Sequence, residues 1–138
     1  MPDVREIDAL KRFLFDYVED LEKLAVLAWL SEQPTTLGQG RDAVAKATGL
    51  PPSSVREALL RLVERRLVLR TEAEPAAFSY APQDARVAAL ARRVLDEYRA
   101  NPRQVMELMT KNSIERVKSA AVQTFAESFA TAEPRKRS

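Results

Sequence analysis

Residues 44–68, VAKATGLPPSSVREALLRLVERRLV, limit the possible folds more than any other stretch of the chain. Val44, Ala45 and Thr48 fall on the inner side of a short helix. Gly49 follows, a residue that accepts positive φ without a Cβ penalty. Leu50 plugs the corner, and Pro51-Pro52-Ser53-Ser54 opens a second helix. Val55, Ala58, Leu59 and Leu62 recur at three- and four-residue spacing, so this second helix has one buried face. Leu67-Val68-Leu69-Arg70 then starts a strand.

The flanks extend this pattern. Asp3–Phe15 places Val4, Ile7, Leu10, Phe13 and Leu14 on a helical stripe. Asp20–Gln33 forms a second helix with Leu21, Leu24, Ala25, Leu27 and Ala28 inward, ended by Pro34. Thr35 to Gly40 reads as a linker, with Leu37 as a short strand residue. Leu67–Arg70 and Ala77–Tyr80 are two β-like runs separated by Thr71-Glu72-Ala73-Glu74-Pro75, the pattern of a two-stranded ribbon with a tight tip. Past Pro82, Val87, Leu90, Ala91, Val94, Leu95 and Tyr98 mark another helix, which stops before Asn101-Pro102. A short helix carries Val105, Met106, Leu108 and Met109. Asn112 and Ser113 then read as a break and a cap before a last helix striped by Ile114, Val117, Ala121, Phe125 and Phe129.

Composition removes most chemistry. The 138 residues suit one domain, or a compact domain with an appended helical segment. There is no cysteine, hence no disulfide, thiolate nucleophile or Cys-type zinc site, and no histidine, the commonest metal ligand and general base. The acidic start lacks a signal-peptide pattern. The longest apolar run, Leu24–Leu30, is far short of the ~20 residues needed to span a bilayer. A cytoplasmic protein without cofactor or catalytic role is expected. Charge is uneven: residues 1–38 carry four basic and eight acidic groups, 39–81 seven and five, and 82–138 eleven and seven. The resulting basic excess over residues 39–138 fits a nucleic-acid partner, with limited specificity.

Residues ~20–81 resemble the winged helix-turn-helix of bacterial transcription regulators. Val55-Arg56-Glu57-Ala58-Leu59 is similar to the recognition-helix signature of the GntR family. The wider spacing, from Val44-Ala45 through Gly49-Leu50 to Leu67-Val68, and the overall size are similar to MarR-like proteins. The resemblance implies a mainly α fold: a winged helix-turn-helix with a two-stranded β-wing and additional N- and C-terminal helices. It also implies double-stranded DNA as partner, with the helix from Ser53 to Arg65 in the major groove. Arg56 would meet a base or phosphate through its bidentate fork. Ser53 and Ser54 would meet a phosphate at the helix N-terminus, and Arg61 and Lys46 would flank them on the backbone. Glu57 is a further candidate contact, since the carboxylates on this face are repelled by phosphates unless one reads a cytosine amino group, and Arg70 would stand at the base of the wing. Ser54 and Glu57 also have capping-box spacing, so fold stability is an equally physical reason for them.

The chain departs from those patterns at Leu60, often basic in the GntR family, at Pro52 in place of a basic residue, and at Arg66 in place of a glycine. Its wing tip holds Glu72 and Glu74. The C-terminal part has no room for the longer, histidine-bearing effector domain of GntR regulators. The MarR resemblance instead implies a homodimer formed through terminal helices. Expected boundaries are 1–81 for the N-terminal helix plus winged domain, 82–131 for a helical dimerisation segment, and 132–138 for a disordered basic tail. A protein-interaction module built on the same fold is the alternative, favoured by Leu60 and the acidic wing.

Other features carry less. Gly38-Gln39-Gly40-Arg41-Asp42-Ala43 matches a dinucleotide-loop spacing, but a helix precedes it and no βαβ unit follows. Asp16, Glu19, Asp20 and Glu22 read as a solvated helix face. Trp29 and Tyr80 are candidates for a ligand cavity between wing and terminal helices, and equally for core. Arg92-Arg93, Lys111, Arg116, Lys118 and Arg135-Lys136-Arg137 are candidates for supplementary phosphate contacts, with solvated faces and a solubilising tail as the rival readings.

Overall fold

The computed structural model describes the backbone of residues 4–34 and 38–136, and side chains as far as Glu127. Six helices and two strands follow in the order α1 (Val4–Tyr17), α2 (Leu21–Glu32), α3 (Arg41–Thr48), α4 (Pro52–Glu64), β1 (Val68–Arg70), β2 (Phe78–Tyr80), α5 (Ala85–Ala100) and α6 (Pro102–Lys136).

The helix–turn–helix is α3–α4. Gly49 closes α3 in the left-handed conformation at φ 73°, with its N–H donating to Ala45 O at 2.9 Å. A Cβ is disfavoured there whatever the space around it. Val44, Val55, Ala58, Leu59 and Leu62 are buried, and α2 contributes Leu24, Val26, Leu27 and Leu30 to the same core. Asp20 caps α2, its carboxylate accepting from Lys23 N at 2.9 Å, as the Asp-to-helix transition in the sequence implies.

The wing is antiparallel, with Val68 opposite Tyr80 and Arg70 opposite Phe78. Gln39 adds a bridge to Phe78 through reciprocal backbone bonds of 2.8 and 2.9 Å. Gly38 makes that approach possible, because a Cβ there would stand 2.6 Å from Ala77 Cβ. The expected strand residue, Leu37, lies outside the described residues.

Two expectations are corrected. Ser54 and Glu57 do not form a capping box: α4 starts one turn earlier, with Pro52 in its first turn and Pro51 as the cap residue, and no side chain caps it. Glu57 turns along the helix to Arg61 instead. Asn112 and Ser113 do not break the C-terminal region, since α6 is continuous through both. The Asn112 amide reaches outward to Lys11 O of α1 at 3.0 Å rather than competing for its own backbone. Asn and Ser inside a helix cost only ~0.5 kcal/mol each relative to alanine, too little to stop one.

Helix α6 begins inside the core, with Val105, Leu108 and Met109 buried, and its residues 117–127 are exposed. Its 35 residues span about 50 Å. The helix continues to Lys136, into the segment 132–138 expected as a tail, and Arg137 and Ser138 lie outside the described residues. Among the described residues no helix is long and apolar enough to cross a membrane.

Candidate nucleic-acid interface

Helix α4 has two faces because its sequence has two periodic sets. Val55, Ala58, Leu59 and Leu62 point into the core, which leaves Ser53, Arg56, Glu57, Leu60, Arg61 and Glu64 exposed on the opposite side. Ser54 is half-buried between them. Ser53 and Ser54 stand in its first turn, where backbone N–H groups have no intrahelical acceptor.

The charges on the exposed face are not equivalent. Among the described residues Arg56 makes no ion pair, and its guanidinium is free to meet a ligand. Arg61 is held twice: its Nε donates to Glu57 Oε1 at 3.1 Å and its Nη1 to Glu64 Oε2 at 3.1 Å. The hydrogen bond to Glu57, then that to Glu64, raises the guanidinium above its ordinary pKa. Lys46 on α3 is exposed and makes no ion pair among the described residues. Arg70 at the wing's base lies 3.9 Å from Glu74 at its tip, a loose exposed pair. The structure thus brings Ser53, Ser54, Arg56, Glu57 and Arg61 together on one helix. Lys46 and Arg70 stand on the neighbouring α3 and β1.

The sequence reading missed two pairings around this face. Glu64 shares Arg61 with Glu57, a claim that its i,i+3 spacing allowed. Arg65, the C-cap of α4, pairs with Glu19 in the α1–α2 connection. Glu19 therefore belongs to no solvated acidic face. It also pairs with buried Lys23 at 3.1 Å, so α4 is tied to the start of α2. No local spacing signals a contact between residues so far apart in the chain.

On the other side of the wing, an open cavity of about 470 Å³ lies between the end of α2, β2 and α5. Tyr80, Arg92 and Arg99 line it, together with Ser31 and Asp96. Burial pushes the Tyr80 phenol up, with Arg99 and Arg92 pulling the other way. Trp29 is half-buried against the core and is not among the lining residues. The Arg116 guanidinium is used within the fold: it stacks over Phe15, 4.4 Å from the ring centroid, and donates to Phe15 O and Glu19 O.

A two-helix unit closed by a bridged hairpin, with an exposed polar face on its second helix, makes this a winged helix-turn-helix protein. Residues 24–72 match the IclR helix-turn-helix domain. That match covers the helix-turn-helix announced by Val55-Arg56-Glu57-Ala58-Leu59, under a different family from the GntR pattern those residues resemble. No curated protein matches the sequence. Among solved structures, a mutant of S. aureus MepR is similar at 13% identity over 87% of this chain and 88% of that one, with a TM-score of 0.50. A MarR-family transcriptional regulator from Rhodococcus sp. RHA1 aligns at 21% identity over 91% and 83%, with a TM-score of 0.47. The MepR similarity is one of fold.

Proposed function

We propose that this regulator binds duplex DNA as a homodimer and inserts α4 of each protomer into the major groove of one half-site. The observation that carries the reading is the segregation of α4. Four apolar residues are buried, and Arg56, with no ion-pair partner among the described residues, projects from the exposed side next to the Ser53 end of the helix. In a helix-turn-helix that end approaches base edges, and an arginine fork there reads guanine or grips a phosphate. Ser53 and Ser54 would contact phosphate, Lys46 and Arg61 the flanking backbone, and Arg70 the phosphates beside the wing.

The dimer is supported by α6. Ile114, Val117 and Phe125 lie along one side of a helix that has left the core, and they are 50%, 68% and 72% exposed. An apolar stripe of this kind favours burial against a second copy. A two-fold dimer reads a pseudo-palindromic site with half-sites about one helical turn apart. A cytoplasmic location is the one that fits a DNA partner. A protein-interaction role is the second reading, favoured by Leu60, 51% exposed at the middle of the same face.

Selection from a random duplex library tests the proposal. Enrichment of inverted half-sites about 10 base pairs apart is the expected result. No enrichment, with capture of a protein through α4, would favour the second reading.

A further inference from the structure

The exposed face of α4 has as many carboxylates as guanidiniums: Arg56 and Arg61 against Glu57 and Glu64. A surface that faces phosphates gains affinity from unpaired cations, and each phosphate neutralised steepens the salt dependence by about 0.9. Here one of the two arginines is already neutralised within its own helix, at 3.1 Å to each of two carboxylates. The two carboxylates differ in position. Glu57 lies in the first half of α4, near the end that approaches base edges, whereas Glu64 is its last residue.

Resting on the DNA-binding reading above, we propose that Glu57 and Glu64 are specificity-determining residues, which hold Arg61 back from sequence-independent DNA until a cytosine amino group engages Glu57. The groove chemistry gives the reason. Phosphates and most major-groove edges present acceptors, which repel a carboxylate and leave Glu57 on Arg61. The N4 amino group of cytosine is a donor that a glutamate accepts from. Once Glu57 turns to it, Arg61 keeps only Glu64, a single exposed pair of small strength, and is free to take an adjacent phosphate. Generic affinity is therefore suppressed, and affinity for a site with a suitably placed C·G pair is retained.

The test measures anisotropy of a labelled random-sequence duplex across about 50–200 mM salt. Wild type is compared with the double variant E57Q/E64Q and with the same double variant carrying Arg61→Ala. Glutamine preserves shape, and matched circular dichroism and melting confirm the fold. The double variant is expected to bind random duplex about tenfold more tightly at low salt, with a log–log slope steeper by about 0.9. Adding Arg61→Ala returns both values toward wild type. Selection with Glu57→Gln alone is expected to lose a C·G preference at one position per half-site.

Equal or weaker binding by the double variant overturns the latch while the DNA-binding reading stands, provided that wild type binds. A gain that survives Arg61→Ala also overturns it, because the carboxylates would then act by direct repulsion. If no protein in the series binds duplex at low salt, the DNA-binding reading itself fails and this inference fails with it. A merely helix-stabilising role for the two pairs would shift melting and leave the DNA slope unchanged.

Discussion

Arg116 of α6 closes the C-terminal end of α1 by lying over the ring of Phe15 at 4.4 Å and donating to the Phe15 carbonyl at 2.5 Å and the Glu19 carbonyl at 3.3 Å. Helix α1 has no basic residue in its own last turn. One of its terminal carbonyls, that of Phe15, is met by a cation from 101 residues further along the chain. Four residues earlier on α6, Asn112 makes the corresponding bond to Lys11 O.

Arg116→Ala should therefore destabilise the fold by about 2 kcal/mol, read as a shift in urea midpoint, because it removes two charged hydrogen bonds and a cation–π contact together. Arg116→Lys should recover less than half, since an ammonium cannot stack and fork at once. Asn112→Ala should cost about 1 kcal/mol by removing this part-buried bond between α6 and α1. Wild-type stability in all three variants would remove this clamp from the account.

Asp20 ties pH to stability. Burial pushes its carboxyl up, but hydrogen bonds from the Lys23 side chain and backbone outweigh that and bring it below its ordinary value of 3.8. A carboxyl lowered in the folded chain stabilises the fold above that ordinary value, and the contribution is lost as pH falls through the folded value. Unfolding free energy should be flat near neutrality and decline below about pH 4. Asp20→Asn keeps a capping side chain and should show a shallower acid decline. Parallel profiles for the two proteins would contradict the assignment.

Arg66 adopts φ 62°, a left-handed conformation unusual for a side-chain-bearing residue, in the turn between α4 and β1. Arg66→Gly should relieve a strain of about 1–2 kcal/mol, less about 0.4–1 kcal/mol of added unfolded-state entropy. The net expectation is a modest rise in melting temperature. Gly49→Ala, at φ 73°, should do the reverse. A loss of more than about 1 kcal/mol in Arg66→Gly would show that its side chain matters more than its backbone.

Val117 is 68% exposed on the arm of α6 that leaves the core. If a second copy covers that stripe, Val117→Glu should shift sedimentation from dimer to monomer and leave the helical content of the winged domain intact. A wild-type protein that already sediments as a monomer would sink the dimer and the palindromic site with it.

The helix–turn–helix and wing were legible because each rests on local patterns: Val55-Ala58-Leu59-Leu62 at helical spacing, Gly49 at the turn, and two β-like runs around a polar tip. The failures share another origin. Asn112 and Ser113 read as a break because local propensity was weighed without the Lys11 carbonyl that employs Asn112. Ser54 and Glu57 matched a capping box, but Pro52 had already begun the helix and Arg61 was the better partner for Glu57. The acidic run from Asp16 to Glu22 hid Glu19, which pairs with Lys23 four residues on and with Arg65, a partner that meets it only in the folded chain. Residue types on the α4 face were all visible in advance; which of its cations are already paired was not.

The central claim is that the exposed face of α4 meets DNA through Arg56. The most direct measurement is anisotropy of a labelled duplex carrying the selected site, at rising salt, with wild type and Arg56→Ala. Binding by wild type that weakens with salt, reduced about tenfold or more in Arg56→Ala at matched fold stability, is the predicted result. Equal binding by the two proteins would contradict it and move the contact away from the recognition helix.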